Sequence, residues 1–178
     1  IAQALLERGD AAGALEQLRA GDALRARWLT RNPNDPYMPG EAMHAGIAES
    51  RALLALGHVH DALASAQRAS AASEATLKHK PSDIEAHRAA GDAYVALGSA
   101  LSRSGDARGA TDAWSHAVSL VDSLVRADPE TEILAVQAAA LIDLGKREEA
   151  KPVVAELTRR GYRRPTFVRL VRERASPP

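Results

Sequence analysis

The sequence predicts an all-α protein of stacked helical hairpins, because prolines, glycines and leucines recur along the chain at a spacing of 48 residues. Each repeated glycine follows a leucine by four residues and precedes an alanine by five. The repeated residues are Pro33, Pro81 and Pro129; Gly9, Gly57 and Gly105; Leu5, Leu53 and Leu101; and Ala14, Ala62 and Ala110. A fixed period of this kind is typical of helical repeat arrays rather than of globular enzymes. No alternating run of β-branched residues is flanked by turn signals, so no strand is predicted.

The spacing between prolines and glycines predicts two helices in each repeat. Each repeated glycine lies 24 residues before the next repeated proline, and Pro33 and Pro81 each lie 24 residues before the next repeated glycine. A helix of roughly 20 residues, ~30 Å long, fits each interval. Proline ends one helix and opens the next, and glycine closes the hairpin. Ser82 with Glu85 forms a capping-box pattern, and Asp128, Pro129 and Glu130 offer an N-cap, a first-turn proline and a first-turn acid.

The repeats divide the chain into units that we expect to form one domain. The first, residues 1–33, begins within a helix and predicts that the chain is a piece of a longer protein. The next two, 34–81 and 82–129, each contain two long helices. The fourth, 130–160, has a short first helix that ends at Gly145, and residues 161–178 form a cap with a helix from Pro165 to Arg174.

These positions resemble the tetratricopeptide repeat, in which leucine precedes a turn glycine, alanine follows it, and proline ends the repeat. The residues that carry the resemblance are Leu53, Gly57, Ala62, Ala69 and Pro81 in one unit, and Leu101, Gly105, Ala110, Trp114, Ala117 and Pro129 in the next. The usual repeat has about 34 residues, so roughly seven are added to each helix. Seven residues turn a helix by about 700°, which leaves the buried stripe nearly in place. The resemblance implies a right-handed α-solenoid of antiparallel helical hairpins with a C-terminal capping helix.

The resemblance also implies a non-catalytic scaffold that binds a partner protein or peptide on a concave groove, lined by the first helix of each hairpin. Helical spacing and the 48-residue shift select the residues that face it. The candidates are Tyr37, His44, Ile47 and Arg51; Glu85, Arg88, Asp92, Val95, Ser99 and Arg103; and Glu132, Ala135, Ala139 and Asp143. The alternative interpretation is that they form only the solvated face of amphipathic helices.

No pattern in the sequence predicts an enzyme, a cofactor or a metal. The chain lacks a glycine-rich phosphate loop, a nucleophile elbow and an HExxH helix. His58, His60 and Asp61 cluster after Gly57, and a solvated turn explains them better than zinc does.

Gly91 and Gly98 lie inside a predicted helix, where each costs roughly 1 kcal/mol relative to alanine. Close helix crossing explains them, and access of a bound peptide to the backbone is the alternative.

The charge is balanced overall, with 23 basic and 23 acidic residues, but residues 151–178 hold eight basic and two acidic side chains. Such a basic end attracts an acidic partner, phosphate or nucleic acid. Helix dipoles and solubility explain these arginines as well, and no aromatic residues are interleaved with them as in nucleic-acid binders, so nucleic acid is not the expected partner.

No apolar run reaches the ~20 residues that cross a bilayer. The absence of cysteine favours a reducing compartment, so we expect a cytoplasmic protein.

A second resemblance supplies the alternative function. Long repeats that close with the segment 161–165 also resemble the tails of multidomain bacterial signalling proteins, such as Ser/Thr kinases. The chain would then be a regulatory or self-association segment of a larger bacterial enzyme or transcriptional regulator. Homo-oligomers would form through the open N-terminal edge, at Ile1, Leu5 and Leu6.

Overall fold

The computed structural model describes residues 1–35, 37–125 and 129–175, and within these residues the chain is helical and has no strand. The helices are α1 Ala2–Glu7, α2 Ala11–Arg31, α3 Met38–Ala55, α4 Val59–His79, α5 Ile84–Ser104, α6 Ala107–Asp122, α7 Thr131–Asp143, α8 Arg147–Arg159 and α9 Pro165–Leu170. A π-helical turn, Val171–Ala175, continues α9. The prediction of an all-α protein is confirmed.

The helices pack in the order of the sequence, from α1 against α2 up to α7 against α8. The odd-numbered helices also contact one another, α1 with α3, α3 with α5, and α5 with α7. We call α1, α3, α5 and α7 the inner row. The last helix leaves the sequential order, because α9 contacts both α1 and α7.

One type of turn recurs at every leucine and glycine pair. Gly57 has a positive φ of 83°, which glycine adopts without the penalty of a side chain. The N–H of His58 donates to the carbonyl oxygen of Leu53 at 2.9 Å, which is the long hydrogen bond of a Schellman motif. The other glycines with this φ and this hydrogen bond are Gly9, Gly105, Gly145 and Gly161. The prediction of a turn glycine four residues after each repeated leucine is confirmed, and Leu157 with Gly161 adds a turn of this type that we did not assign to the series.

The helix starts differ by one or two residues from the prediction. Asp83, not Ser82, is the N-cap of α5, because its carboxylate accepts a hydrogen bond from the N–H of Ala86 at 2.9 Å. An acceptor one residue nearer the helix reaches the free N–H groups of the first turn, so the Ser82 assignment was wrong. Glu130 is the N-cap of α7 and Pro129 precedes the helix, which corrects the first-turn assignment of both. The predicted N-cap Asp128 lies outside the described residues.

The buried position shared by successive inner helices is an alanine. Ala52, Ala100 and Ala140 are completely buried, one residue before the repeated leucines. Leu53 and Leu141 are buried too, but Leu101 is only half-buried, so the repeat does not bury all of its leucines alike. Leu53 packs in a cluster with residues of α1 and α2, whereas Leu101 belongs to none of the buried clusters of the described residues.

The two glycines inside α5 lie where helices cross closely. A Cβ atom at Gly98 would lie 2.4 Å from Nε1 of Trp114. A Cβ atom at Gly91 would lie 2.9 Å from a methyl group of Val136 and 3.0 Å from one of Val121. These separations are far below contact distance, so close helix crossing is confirmed as the reason for both glycines.

The core consists of small clusters between neighbouring helices, with many alanines and several buried serines. Such a core forms where thin helices approach closely, because only 3% of the residues are aromatic and alanines fill the interior. None of the described helices is both long and apolar enough to span a membrane.

Candidate functional site

The inner row lines a cavity of about 370 Å³, and we call its inner-row surface the groove. Its polar wall contains six of the residues that the sequence selected. They are Arg51, Arg88, Asp92, Ser99, Glu132 and Asp143. The apolar candidates Val95, Ala135 and Ala139 also line it. The 48-residue shift from α3 to α5, and helical spacing within α7, therefore selected side chains that do lie on one surface.

Five other candidates lie elsewhere. Tyr37 precedes α3 and is exposed, and Arg103 is exposed near the end of α5. Glu85 lies outside the cavity but holds the guanidinium of Arg88. His44 lines a neighbouring cavity of about 510 Å³. Ile47 also lines this neighbouring cavity, although it is almost completely buried and packs in the core with Met43 and Ala69.

The arginines of the groove are paired with carboxylates. Arg51 forms an ion pair with Asp92, across the contact between α3 and α5. Arg88 donates to Glu85 through Nε at 2.7 Å and Nη2 at 2.5 Å. This bidentate hydrogen bond lowers the pKa of the Glu85 carboxyl and raises that of the Arg88 guanidinium, so the pair stays ionised. The charges of Asp92 and Glu132 also raise the pKa of Arg88.

Asp143 carries the most buried charge of the groove. Its side chain is 5% exposed at the end of α7, and burial raises the pKa of its carboxyl. Arg174 approaches Oδ1 with its Nη1 at 2.5 Å, and the Ser99 hydroxyl also interacts with this carboxyl. Both contacts oppose the rise in pKa, because they favour the charged form. Asp143 therefore depends on a cation supplied from outside the inner row.

That cation belongs to residues 162–174, which we call the C-terminal segment and which lie across the groove. Arg164 pairs with Glu132 at 3.2 Å, and Arg174 pairs with Asp143. At the other side of the groove, the backbone N–H and the hydroxyl of Thr166 both donate to the carboxylate of Glu7, each at 2.9 Å. The C-terminal segment thus links the first helix to α7.

These ion pairs correct our interpretation of the basic end. From the sequence we explained the arginines by helix dipoles and solubility. In the structure, Arg164 and Arg174 form ion pairs with the groove carboxylates of Glu132 and Asp143. The charge of Arg164 also lowers the pKa of Glu132, after the larger effect of the hydrogen bond from the Thr131 hydroxyl. The sequence does indicate such ion pairs, since a basic tail follows a unit with acids at 132 and 143. Only the fold shows which arginine pairs with which carboxylate.

Apolar contacts hold the C-terminal segment as well. Tyr162 and Phe167 pack against the cluster around Leu134 and Leu157, and their rings meet edge to face at 5.4 Å. Leu170 packs against the cluster of Leu141, Ile142 and Ala150. No residue of α9 is fully buried. The predicted C-terminal helix is present as α9, and it covers the groove in addition to α7 and α8.

The histidine cluster after Gly57 makes no metal site. His58 is the N-cap residue of α4, and His60 is exposed with its Nδ1 3.7 Å from Asp61. Within residues 1–35, 37–125 and 129–175, no three His, Asp or Glu side chains are placed to hold a metal ion.

The groove is therefore a surface of paired charges and small apolar side chains, rather than a constellation of reactive groups. Its carboxylates accept hydrogen bonds from a peptide backbone at Glu7 and from guanidinium groups at Glu132 and Asp143. Comparisons of this chain with protein-family models, with curated proteins and with solved structures give no match.

Proposed function

We propose that this chain is a non-catalytic protein-interaction scaffold that binds a peptide segment of a partner protein in the groove. In this proposal the helices form a right-handed α-solenoid of antiparallel hairpins similar to tetratricopeptide repeats, in a cytoplasmic protein. The recurring Schellman turns and the contacts along the inner row support a repeat architecture. Solenoids of this kind present extended binding surfaces on one side.

The observation that carries the proposal is that the groove already holds a polypeptide segment. Glu7 binds the backbone N–H of Thr166, as it would bind that of any peptide in this place. Glu132 and Asp143 bind side chains 31 or 32 residues away along the chain. Charge-assisted hydrogen bonds to a backbone and to side chains are the two means by which grooves recognise peptides.

The first test uses two arginines of the groove. We expect the double substitution Arg51→Ala and Arg88→Ala to change capture of the partner from cell extract by about tenfold or more, because both guanidinium groups line the groove. Their removal leaves the carboxylates of Asp92 and Glu85 without their cations, so a cationic partner should be captured more strongly and an anionic partner more weakly. The measurement is a titrated pull-down with the purified variant and wild-type chains, and circular dichroism checks that their helicity is equal.

Arg103→Ala is the matched control, since this arginine was a candidate but lies exposed outside the groove. It should leave the captured proteins unchanged. Equal capture by the wild-type chain and the Arg51 and Arg88 double variant would place the binding surface elsewhere on the molecule.

Self-association in a larger signalling protein or transcriptional regulator is the second candidate, and an apolar patch on α2 favours it. Leu24 and Trp28, one helical turn apart, are 65% and 50% exposed. The N-terminal edge offers less apolar surface than we expected, because Leu6 is buried against α2 and α3.

We expect Leu24→Lys to shift a dimer to a monomer in sedimentation velocity. A chain that is monomeric at all concentrations before substitution would exclude this candidate.

A further inference from the structure

We propose that the groove recognises a short basic and apolar segment of a partner protein, with the chemistry of the chain's own C-terminal segment, and that the C-terminal segment competes with this partner for the groove. This inference rests on the proposed function and names the class of peptide that the groove takes. The C-terminal segment is thus an intramolecular ligand, and a partner binds by displacing it.

The charges of the groove favour a cationic occupant. Along the part that the C-terminal segment crosses, the acidic side chains are Glu7, Asp92, Glu132 and Asp143, and the basic ones are Arg51 and Arg88. Arg51 and Asp92 neutralise each other. Glu85 neutralises Arg88, so Glu7, Glu132 and Asp143 are left for groups from outside the inner row.

Asp143 makes this preference strong. A carboxylate with 5% exposure is costly to ionise without a partner, and removing one member of a buried pair costs more than the pair contributes. When Arg174 leaves, a guanidinium from another polypeptide restores the pair. An acidic or purely apolar peptide does not.

The apolar side chains set the spacing of the occupant. Phe167 and Leu170, one helical turn apart, contact clusters on α7 and α8. Arg164 and Arg174 lie on either side of them and reach Glu132 and Asp143. The recognised segment therefore has arginines at both ends of a short helical turn with an aromatic and an aliphatic residue between them.

The C-terminal segment is held loosely enough to be displaced. No residue of α9 is fully buried, and Val168 on the same helix is exposed. The arginines that anchor it are themselves half-exposed, at 48% each. A cavity of about 370 Å³ remains between the C-terminal segment and the groove. Elements with few buried contacts open at low cost in free energy, whereas the hairpins beneath them stay folded.

The test measures binding of a fluorescently labelled peptide of residues 161–174 to the full chain by fluorescence anisotropy. In the variant Arg164→Glu with Arg174→Glu, both anchors of the C-terminal segment are repelled by the groove carboxylates. We expect this opened chain to bind the peptide at least about tenfold more tightly than the wild-type chain, because a groove that is occupied most of the time has a proportionally lower apparent affinity.

Two controls separate competition from a general effect of charge. Arg163→Glu with Arg172→Glu makes the same change in the same segment, but both arginines are exposed and neither pairs with a groove carboxylate, so the affinity should equal that of the wild-type chain. In the opened chain, Glu132→Gln with Asp143→Asn should weaken peptide binding by about tenfold. A scrambled peptide of the same composition should bind weakly to every variant.

Equal affinity of the wild-type and opened chains for the peptide would overturn the competition. No binding to an opened chain that circular dichroism shows to be folded would overturn the peptide class. The proposed function has a separate readout, since partner capture that depends on Arg51 and Arg88 would persist in that case. If the opened chain does not bind the peptide and partner capture does not depend on Arg51 and Arg88, the groove is not a binding surface.

Discussion

Replacing Gly98 with alanine is expected to lower the free energy of unfolding by about 1–3 kcal/mol, although alanine is the better helix former. The added methyl group would lie 2.4 to 2.8 Å from atoms of the Trp114 indole. This ring is rigid and buried in α6, so the two helices have to separate or the ring has to leave its rotamer. Urea denaturation of the purified variants measures the change.

Gly21→Ala is the matched control for this substitution. Gly21 lies in the middle of α2, and a Cβ atom there meets nothing within 4 Å. The same chemical change should therefore stabilise the protein, by roughly 0.5–1 kcal/mol. Trp114→Leu should reduce the cost of Gly98→Ala, which a double-mutant cycle detects. Equal stabilisation by alanine at both positions would contradict the close contact of α5 with Trp114.

The helical turns could be predicted from the sequence because the interactions that form them are local. A positive φ favours glycine, and the hydrogen bond from His58 to Leu53 spans only five residues. The exact first residue of a helix could not be predicted in the same way. Ser82 and Asp83 are both good N-caps, and only the geometry of the first turn shows that Asp83 is the N-cap of α5. Periodicity also identifies which positions share a face, and for this reason Arg51, Asp92 and Asp143 were selected together.

The cover over the groove could not be predicted in this way. The contact of Glu7 with Thr166 joins residues 159 positions apart, and that of Asp143 with Arg174 joins residues 31 apart. No repeat relates these pairs, because the C-terminal segment follows the last unit and has no counterpart earlier in the chain. Tyr37 and Arg103 were selected by the same periodicity as the other candidates, but Tyr37 precedes α3 and Arg103 lies one turn beyond Ser99, the last residue of α5 that lines the groove.

Leu53→Ala is expected to destabilise the protein by about 2–5 kcal/mol, whereas Leu101→Ala at the equivalent repeat position should cost only about 1 kcal/mol. Leu53 is 5% exposed and packs against side chains of α1 and α2, so its truncation leaves a cavity between three helices. Leu101 is half-buried, and water fills the space that its side chain vacates. The turn hydrogen bonds are the same at both positions, because they use the leucine carbonyl oxygens and not the side chains. The comparison therefore isolates the packing contribution.

Urea denaturation of both variants, with Arg103→Ala as an exposed control on the same helix as Leu101, tests this prediction. The control should change the free energy of unfolding by less than about 0.5 kcal/mol. Equal losses for Leu53→Ala and Leu101→Ala would mean that the repeats bury the two leucines alike. A loss for Leu53→Ala that matched the control would contradict the packing of α3 against α1 and α2, on which the position of Glu7 beneath the C-terminal segment depends.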